Sequence, residues 1–289
     1  MTTLDSLPTV PRPVPAARTE PRPRFRDLLA AEWFKLWSMR SMRWGYGLGA
    51  VGIVWLSVNS AVADVQNWDR YPADMRAHFV PGGSLRDAFT NNAGITVLLV
   101  AGVLGAMTLV SEYASGLIRV SFAAVPARRS LLAAKIAVLT AVMLAFGVVV
   151  TFSSFGLSEA ILSSKHAGIS LTQPGIWSAL TAAMLLPAVS ALVGLGLAAV
   201  IRHSAATVVA VVTVLLLIPD FLSDNHYWSA CLDHAMPFRA FQTLYDLTPY
   251  QVNPHLPYPA QPAGEWWVYL LWPLVSVIVA LVLVDRRDV

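Results

Sequence analysis

The sequence predicts an all-α polytopic membrane protein, and three observations carry that expectation. The 289-residue chain is 56% apolar and only 13% charged, with a mean hydropathy of +0.59, more than a water-exposed globular surface tolerates. It also contains long runs without Asp, Glu, Lys or Arg, at 44–63, 88–111, 136–158, 166–201, 203–219 and 266–284. A helix crossing the hydrocarbon core needs about 20 apolar residues at 1.5 Å each, so these runs predict six transmembrane helices. Finally, the basic residues are distributed unevenly between the segments that join the runs.

Residues 1–24 hold six prolines among scattered arginines, a composition that buries too little surface to offset the entropy of ordering, and a disordered cytoplasmic tail is expected. From residue 25 to 39 the pattern changes. Phe25, Leu28, Leu29, Trp33, Leu36 and Trp37 recur at helical spacing with Arg26, Asp27, Glu32 and Lys35 between them, which predicts an amphipathic helix along the inner membrane interface. The first apolar run lies behind this stretch, unlike the layout of a cleavable signal peptide, and is expected to stay as a signal-anchor span.

The spans are expected at about 44–63, 91–111, 136–158, 176–200, 204–222 and 266–284. Gln173-Pro174-Gly175 is a breaker that places the start of the fourth near Ile176. The fifth run is the shortest and must borrow Phe221 and Leu222 beyond Asp220. Pro187 lies inside the fourth span and is a candidate hinge, or else a static kink, because lipid tolerates a kink where neighbours satisfy the freed carbonyl. In the long segment from 223 to 265, residues 236–250 place Phe238, Phe241 and Leu244 on one side of a short amphipathic helix, read as a cap on the bundle. The single cysteine, Cys231, allows no internal disulfide.

With the N-terminus inside, the inner segments carry 15 of the 20 lysines and arginines. Positive residues are retained on the cytoplasmic side, so both termini are expected there, in a bacterial cell membrane. The same asymmetry accounts for the basic N-terminus without a nucleic-acid partner, since no aromatic platform accompanies its arginines.

The three lysines, Lys35, Lys135 and Lys165, follow Phe, Ala and Ser with no Gly-x-x-x-x-Gly frame, so no nucleotide-phosphate cradle is expected. Neither His-Glu-x-x-His nor Gly-x-Ser-x-Gly occurs, and no enzyme activity or cofactor is expected of this chain. His226, Cys231, His234 and His255 are spaced unlike any standard zinc site and read as loop residues.

The segment between the second and third expected spans is the informative one. Glu112, Tyr113, Gly116, Leu117, Ile118 and Arg119 combine charge, a glycine break and more apolar surface than a solvated loop needs. A short helix docking on a cytoplasmic partner needs that mixture, with apolar side chains filling a groove and charges at its rim.

Four motifs in order, Ala31-Glu32-Trp33-Phe34-Lys35-Leu36, Glu112-Tyr113-x-x-Gly116-x-Ile118-Arg119, Ala123-x-Val125-Pro126-x-Arg128-Arg129 and Asp285-Arg286-Arg287-Asp288, resemble the permease subunits of type-2 ABC exporters. The resemblance covers nearly all of the chain beyond the tail. It implies one six-span permease domain over 25–289, entered by an elbow helix at 25–39 that carries Glu32, Trp33 and Lys35. It implies too that Glu112 to Arg119 form a coupling helix seated in a separate ABC ATPase subunit, and that two permease copies, identical or sister chains, work as a pair in the lipid bilayer. The function so implied is that of an ATP-driven exporter's membrane subunit. The alternative is a non-transporting immunity or regulatory subunit of the same shape.

Overall fold

The computed structural model describes residues 24–124, 127–222, 226–247 and 262–286, and every regular element among them is helical. The expected disordered tail, the Pro-rich return that contains His255, Val125-Pro126 and the last three residues lie outside the described residues.

Helix α1 (Phe25–Ser38) buries Leu28, Glu32 and Leu36, one stripe at i, i+4 and i+8. Its other faces leave Phe25, Trp33, Phe34 and Trp37 exposed, Phe34 at 72%. The stripe turned inward therefore carries a carboxylate while aromatic rings point out, which suits a helix whose surroundings are apolar. Met39, in an extended conformation, separates α1 from α2 (Arg40–Asn67).

A 3-10 turn, Trp68–Arg70, and two short helices, α3 (Ala73–Ala77) and α4 (Gly82–Ala88), lead to α5 (Asn91–Ala114). Thr90 caps α5, its hydroxyl accepting from the Ala93 N–H at 3.0 Å, which satisfies one of the orphan donors of the first turn. Then follow α6 (Leu117–Ala124), α7 (Arg128–Leu162) and α8 (Ile176–Ile201). Helix α9 (Ser204–Val212) continues through a π-helical segment, Thr213–Leu217, into α10 (Ile218–Asp220). The chain closes with α11 (Tyr227–His234), α12 (Pro237–Tyr245) and α13 (Pro262–Arg286).

Among the described residues, five helical stretches are long and apolar enough to cross a membrane: Arg40–Arg70, Gly82–Ala114, Arg128–Lys165, Ile176–Ile201 and Ala263–Val284. Ser204–Asp220, at the position expected for a fifth span, is a shorter apolar helix, shortened further by its π segment and ended near Pro219. The long helices run past the uncharged sequence runs because charges at their ends find partners. Helix α7 includes Lys135, which is buried at 6% exposure and bonded to two carboxylates.

Helix α8 sits at the centre of the bundle, with most of its residues buried, packed on α5, α7 and α13. Small residues permit this. A Cβ at Gly105 of α5 would collide with the Ala191 carbonyl of α8, and one at Gly194 of α8 with the Gly102 carbonyl of α5. Backbones this close gain dispersion contacts that lipid cannot match. Pro187 is buried in mid-helix, where its missing N–H frees the Ala183 carbonyl, and the Tyr269 hydroxyl of α13 donates to the neighbouring Ala182 carbonyl at 3.3 Å.

Helix α12 buries Phe238, Phe241, Leu244 and Tyr245. Phe241 and Tyr245 stack at 5.3 Å, and Phe89 meets both, at 5.6 and 5.8 Å. Tyr245 also donates to the Leu85 carbonyl at 3.0 Å, so α12 is fastened over one end of the bundle. At the opposite end lie α1 and α6.

Candidate functional site

Four charges from three helices meet at the α1 and α6 end. Glu32 and Lys35 project from one face of α1 at i, i+3, Glu112 comes from the last turn of α5, and Lys135 from the second turn of α7. The Lys135 ammonium donates to Glu32 Oε2, to Glu112 Oε1 at 2.9 Å and to the Thr108 carbonyl at 3.3 Å. Lys35 donates to Glu32 Oε1 at 2.8 Å and to the same Glu112 oxygen at 3.1 Å. Glu32, Glu112 and Lys135 are buried, and Lys35 closes the group toward solvent.

Two carboxylates and two ammoniums sum to no net charge, and each ammonium bridges both carboxylates. That geometry is what lets buried ions recover their desolvation cost. Burial alone pushes the Glu32 carboxyl up; the charge and hydrogen bond of Lys135, with those of Lys35, outweigh it and hold the group below its ordinary value. Burial likewise pulls Lys35 down, and its hydrogen bond to Glu32 with the charges of Glu112 and Glu32 reverses that, leaving it above the usual lysine value. Both groups are therefore ionised at neutral pH. Beside the tetrad lies a cavity of about 300 Å³ whose walls include Leu36, Ser111, Leu117 and Leu139.

The α5–α6 turn hangs from this tetrad. Gly116 adopts φ +72°, a left-handed conformation that other residues reach only at a cost of about 1–2 kcal/mol, and it redirects the chain into α6. Ile118 is buried at 2% and anchors α6, while Leu117 and Val120 stay exposed at 53% and 66%. Arg119 is exposed. At the far end of the turn the Arg128 guanidinium lies 5.3 Å from the Phe122 ring.

Tyr113 faces the turn between α8 and α9, where the Arg202 guanidinium sits 5.0 Å over its ring, a cation–π contact. Arg202 is itself left-handed, at φ 59°. Tyr113, Ser115, Gly116, Ile118, Arg119 and Arg202 together border a cleft of about 500 Å³. Two turns far apart in sequence thus form one basic concavity.

A family model described as "ABC-2 family transporter protein" matches residues 52–289. The chain belongs to the ABC-2 family of transporter proteins. This ABC-2 protein is accordingly a multi-pass membrane protein, and no curated protein matches it. The family match begins within α2, so the tetrad straddles its edge: Glu112 and Lys135 lie inside the matched region, Glu32 and Lys35 before it.

The singled-out residues thus divide. Glu32, Lys35 and Glu112 are brought together, with Glu112 buried against both lysines. Leu117 and Arg119 face outward. Trp33, on the exposed side of α1, packs on Trp37 at 5.7 Å, and Pro187 lies far along the chain in the core of α8. Two members escaped the sequence reading. Along the sequence Lys135 stands out only as a lysine without a phosphate-cradle frame, although a lone lysine one turn inside an apolar helix demands a partner. Arg202, between two apolar runs, carried no signal of its ring contact. Among the described residues no group of three or more His, Cys, Asp or Glu is placed to hold a metal ion.

Proposed function

We propose that this ABC-2 protein is the transmembrane permease subunit of an ATP-driven exporter in the bacterial cell membrane, coupled to a separate ATPase chain. The observation that carries the reading is the α5–α6 turn. It offers exposed Leu117, Val120 and Arg119 beside a basic cleft, on a base held by the buried tetrad. A surface with apolar knobs, basic rim and rigid support suits a groove with acidic edges on a partner.

In this reading α1 is the elbow helix at the inner interface, and Ser204–Asp220 completes six spans, crossing with the aid of flanking residues and local thinning. Both termini then lie in the cytoplasm, as the excess of Lys and Arg on α1, α6 and their flanks requires. Force applied to α6 reaches the spans through α5 and α7, because Glu112 and Lys135 tie both to α1. The hinge at Pro187 lies where α8 meets α5, α7 and α13 and would bend as the pathway opens. A second permease copy supplies the other wall of that pathway. The exposed apolar face of α2, with Trp44, Leu48, Val51 and Trp55, is free to meet lipid or that copy.

Purification of the tagged protein from its native membrane is expected to capture an ATPase chain with a Gly-rich phosphate cradle. In vesicles containing both, Leu117→Asp with Arg119→Glu should lower the protein-dependent ATPase rate about ten-fold or more, as reversing a docking charge does, with the thermal unfolding midpoint unchanged. An ATPase rate indifferent to these substitutions would remove the coupling role.

A further inference from the structure

The turn between α8 and α9 holds a guanidinium that the fold does not neutralise. Arg202 follows directly on the apolar stretch Ile176–Ile201 and closes α8 by donating its backbone N–H to the Ala198 carbonyl at 3.0 Å. It does so at φ 59°, a conformation that glycine or asparagine enters at less cost, so the turn by itself gives no reason for an arginine. Two side-chain nitrogens of Arg202, Nε and Nη2, are buried and have no hydrogen-bond partner. A guanidinium carries five N–H donors, and a cation drawn out of water with donors unspent is costly unless an acceptor meets it.

The surroundings of Arg202 add to its charge. Arg119, exposed on α6, borders the same cleft of about 500 Å³, and the positive end of α9 begins two residues beyond Arg202. His203 is spent on capping α9, where its Nδ1 accepts from the Ala206 N–H at 3.4 Å. None of the described residues bordering the cleft is acidic. Glu112, next to Tyr113 in the chain, accepts from both lysines of the tetrad, a group without net charge. Tyr113 offers a ring face 5.0 Å from the Arg202 guanidinium, which attracts the cation but does not accept its N–H groups in the bidentate way that a phosphate does.

Position and polarity select the kind of anion. A charge at the end of an apolar span stands at the depth of the lipid headgroups, and a tyrosine beside it is at home there. The flanks are apolar: Val200 and Val209, before and after Arg202 in the chain, are 42% and 64% exposed, and Leu117, between the cleft residues Gly116 and Ile118, is 53% exposed. A phosphate free in water gains nothing from such flanks, whereas a phospholipid lays its acyl chains on them. The cleft also has the volume of a small-molecule pocket, for which about 300–1,000 Å³ is usual, and one carboxylate from a protein partner would fill little of it.

We propose that the cleft between Arg119 and Arg202 binds the phosphate of an anionic phospholipid whose acyl chains lie along Val200 and Val209. One guanidinium comes from α6 and the other from the α8–α9 turn, so the bound phosphate bridges the two and holds α6 to the helix bundle. The site requires the chain to be in a membrane and requires no ATPase, so it stands or falls apart from the exporter reading.

Native mass spectrometry of the full chain, released from nanodiscs of mixed phosphatidylglycerol and phosphatidylcholine, tests the site. The wild type should retain phosphatidylglycerol in preference to phosphatidylcholine. Arg202→Gln with Arg119→Gln should lower that preference about ten-fold or more, as the loss of charge-assisted hydrogen bonds does, with the unfolding midpoint in phosphatidylcholine alone unchanged. Arg119→Gln by itself, at an exposed position, should show part of the loss and is the readout should the double variant not fold. Arg40→Gln with Arg43→Gln removes two exposed arginines at the start of α2 and should leave the preference intact; an equal loss there would mean general charge attraction and would overturn the proposal. So would a preference that inorganic phosphate abolishes at the lipid's own concentration, since the acyl chains would then contribute nothing. A preference that survives the double variant would also overturn it, and if capture of the ATPase failed instead, the cleft would belong to an acidic edge of that partner.

Discussion

Lys135→Met is expected to destabilise the protein by about 3–5 kcal/mol, the range for removing one partner from a buried ion pair. Lys135 bridges Glu32 and Glu112 and is almost wholly buried. Without it Lys35 alone faces two carboxylates, and Lys35 is the member nearest solvent. The triple variant Lys135→Met, Glu32→Gln, Glu112→Gln should recover most of the loss, because the one charge it leaves, Lys35, is the member nearest solvent. Thermal unfolding of the purified variants checks this, and a triple variant no better than Lys135→Met would show that packing around the lysine stem matters more than its charge.

The tetrad also has a pH signature. Glu32 is held below its ordinary value of 4.5, so its stabilising contribution is fully present above that value and is lost as acid carries the pH down through the folded-state value. Lys35, held above 10.5, contributes fully below that value and loses its contribution as the pH climbs past it. Wild-type stability from the tetrad is therefore level between these limits and falls on both sides. In Lys135→Met the largest opposing influence on the Glu32 carboxyl is gone and burial dominates, so the acid limb of the unfolding profile should flatten. An acid limb unchanged from wild type would place the acid-sensitive group elsewhere.

Gly105→Val is the second substitution expected to have a large effect. The added side chain collides with the Ala191 carbonyl, a backbone atom that moves only if α8 itself moves. Overpacking typically costs about 1–3 kcal/mol where side chains can adjust, and here the central contact of the bundle must separate, so the cost should lie at or above that range. Gly194→Val meets the Gly102 carbonyl from the other side and should behave alike. Gly47→Ala and Gly52→Ala, where a Cβ meets nothing within 4 Å, should leave folding intact. Size-exclusion profiles in detergent distinguish the two classes: loss of the monodisperse peak is expected for the first pair and retention for the second.

Much of this architecture is legible along the chain because lipid imposes a local rule. A backbone crossing hydrocarbon must satisfy its own hydrogen bonds, so apolar length and helix become nearly synonymous. Hence α5, α7, α8 and α13 can be read from uncharged runs, α1 from its periodicity and the start of α8 from Gly175, which is left-handed at φ 84°. The fifth run shows where this stops. Its apolar length alone does not reveal the π segment at Thr213–Leu217, which arises where Leu215 is fully buried and packs toward Gly102. On α1 the periodicity was visible, but which face turned inward was not. Leu28, Glu32 and Leu36 are buried while the aromatic rings face out, since Glu32 has Lys135 to meet.

By itself the amino-acid order determined that the chain is helical, that it belongs in lipid and that one charged, glycine-broken turn between apolar helices stands apart. These properties depend on residues near one another in sequence, and local hydrophobicity and backbone hydrogen bonding suffice to set them. Only the tertiary structure decided that Glu32 is bound to Lys135 and Arg202 to Tyr113, and that Ser60 meets Asp87. Partners separated by long stretches of chain are chosen by how helices pack, and a buried charge has no stable place until that packing brings its counterpart within reach.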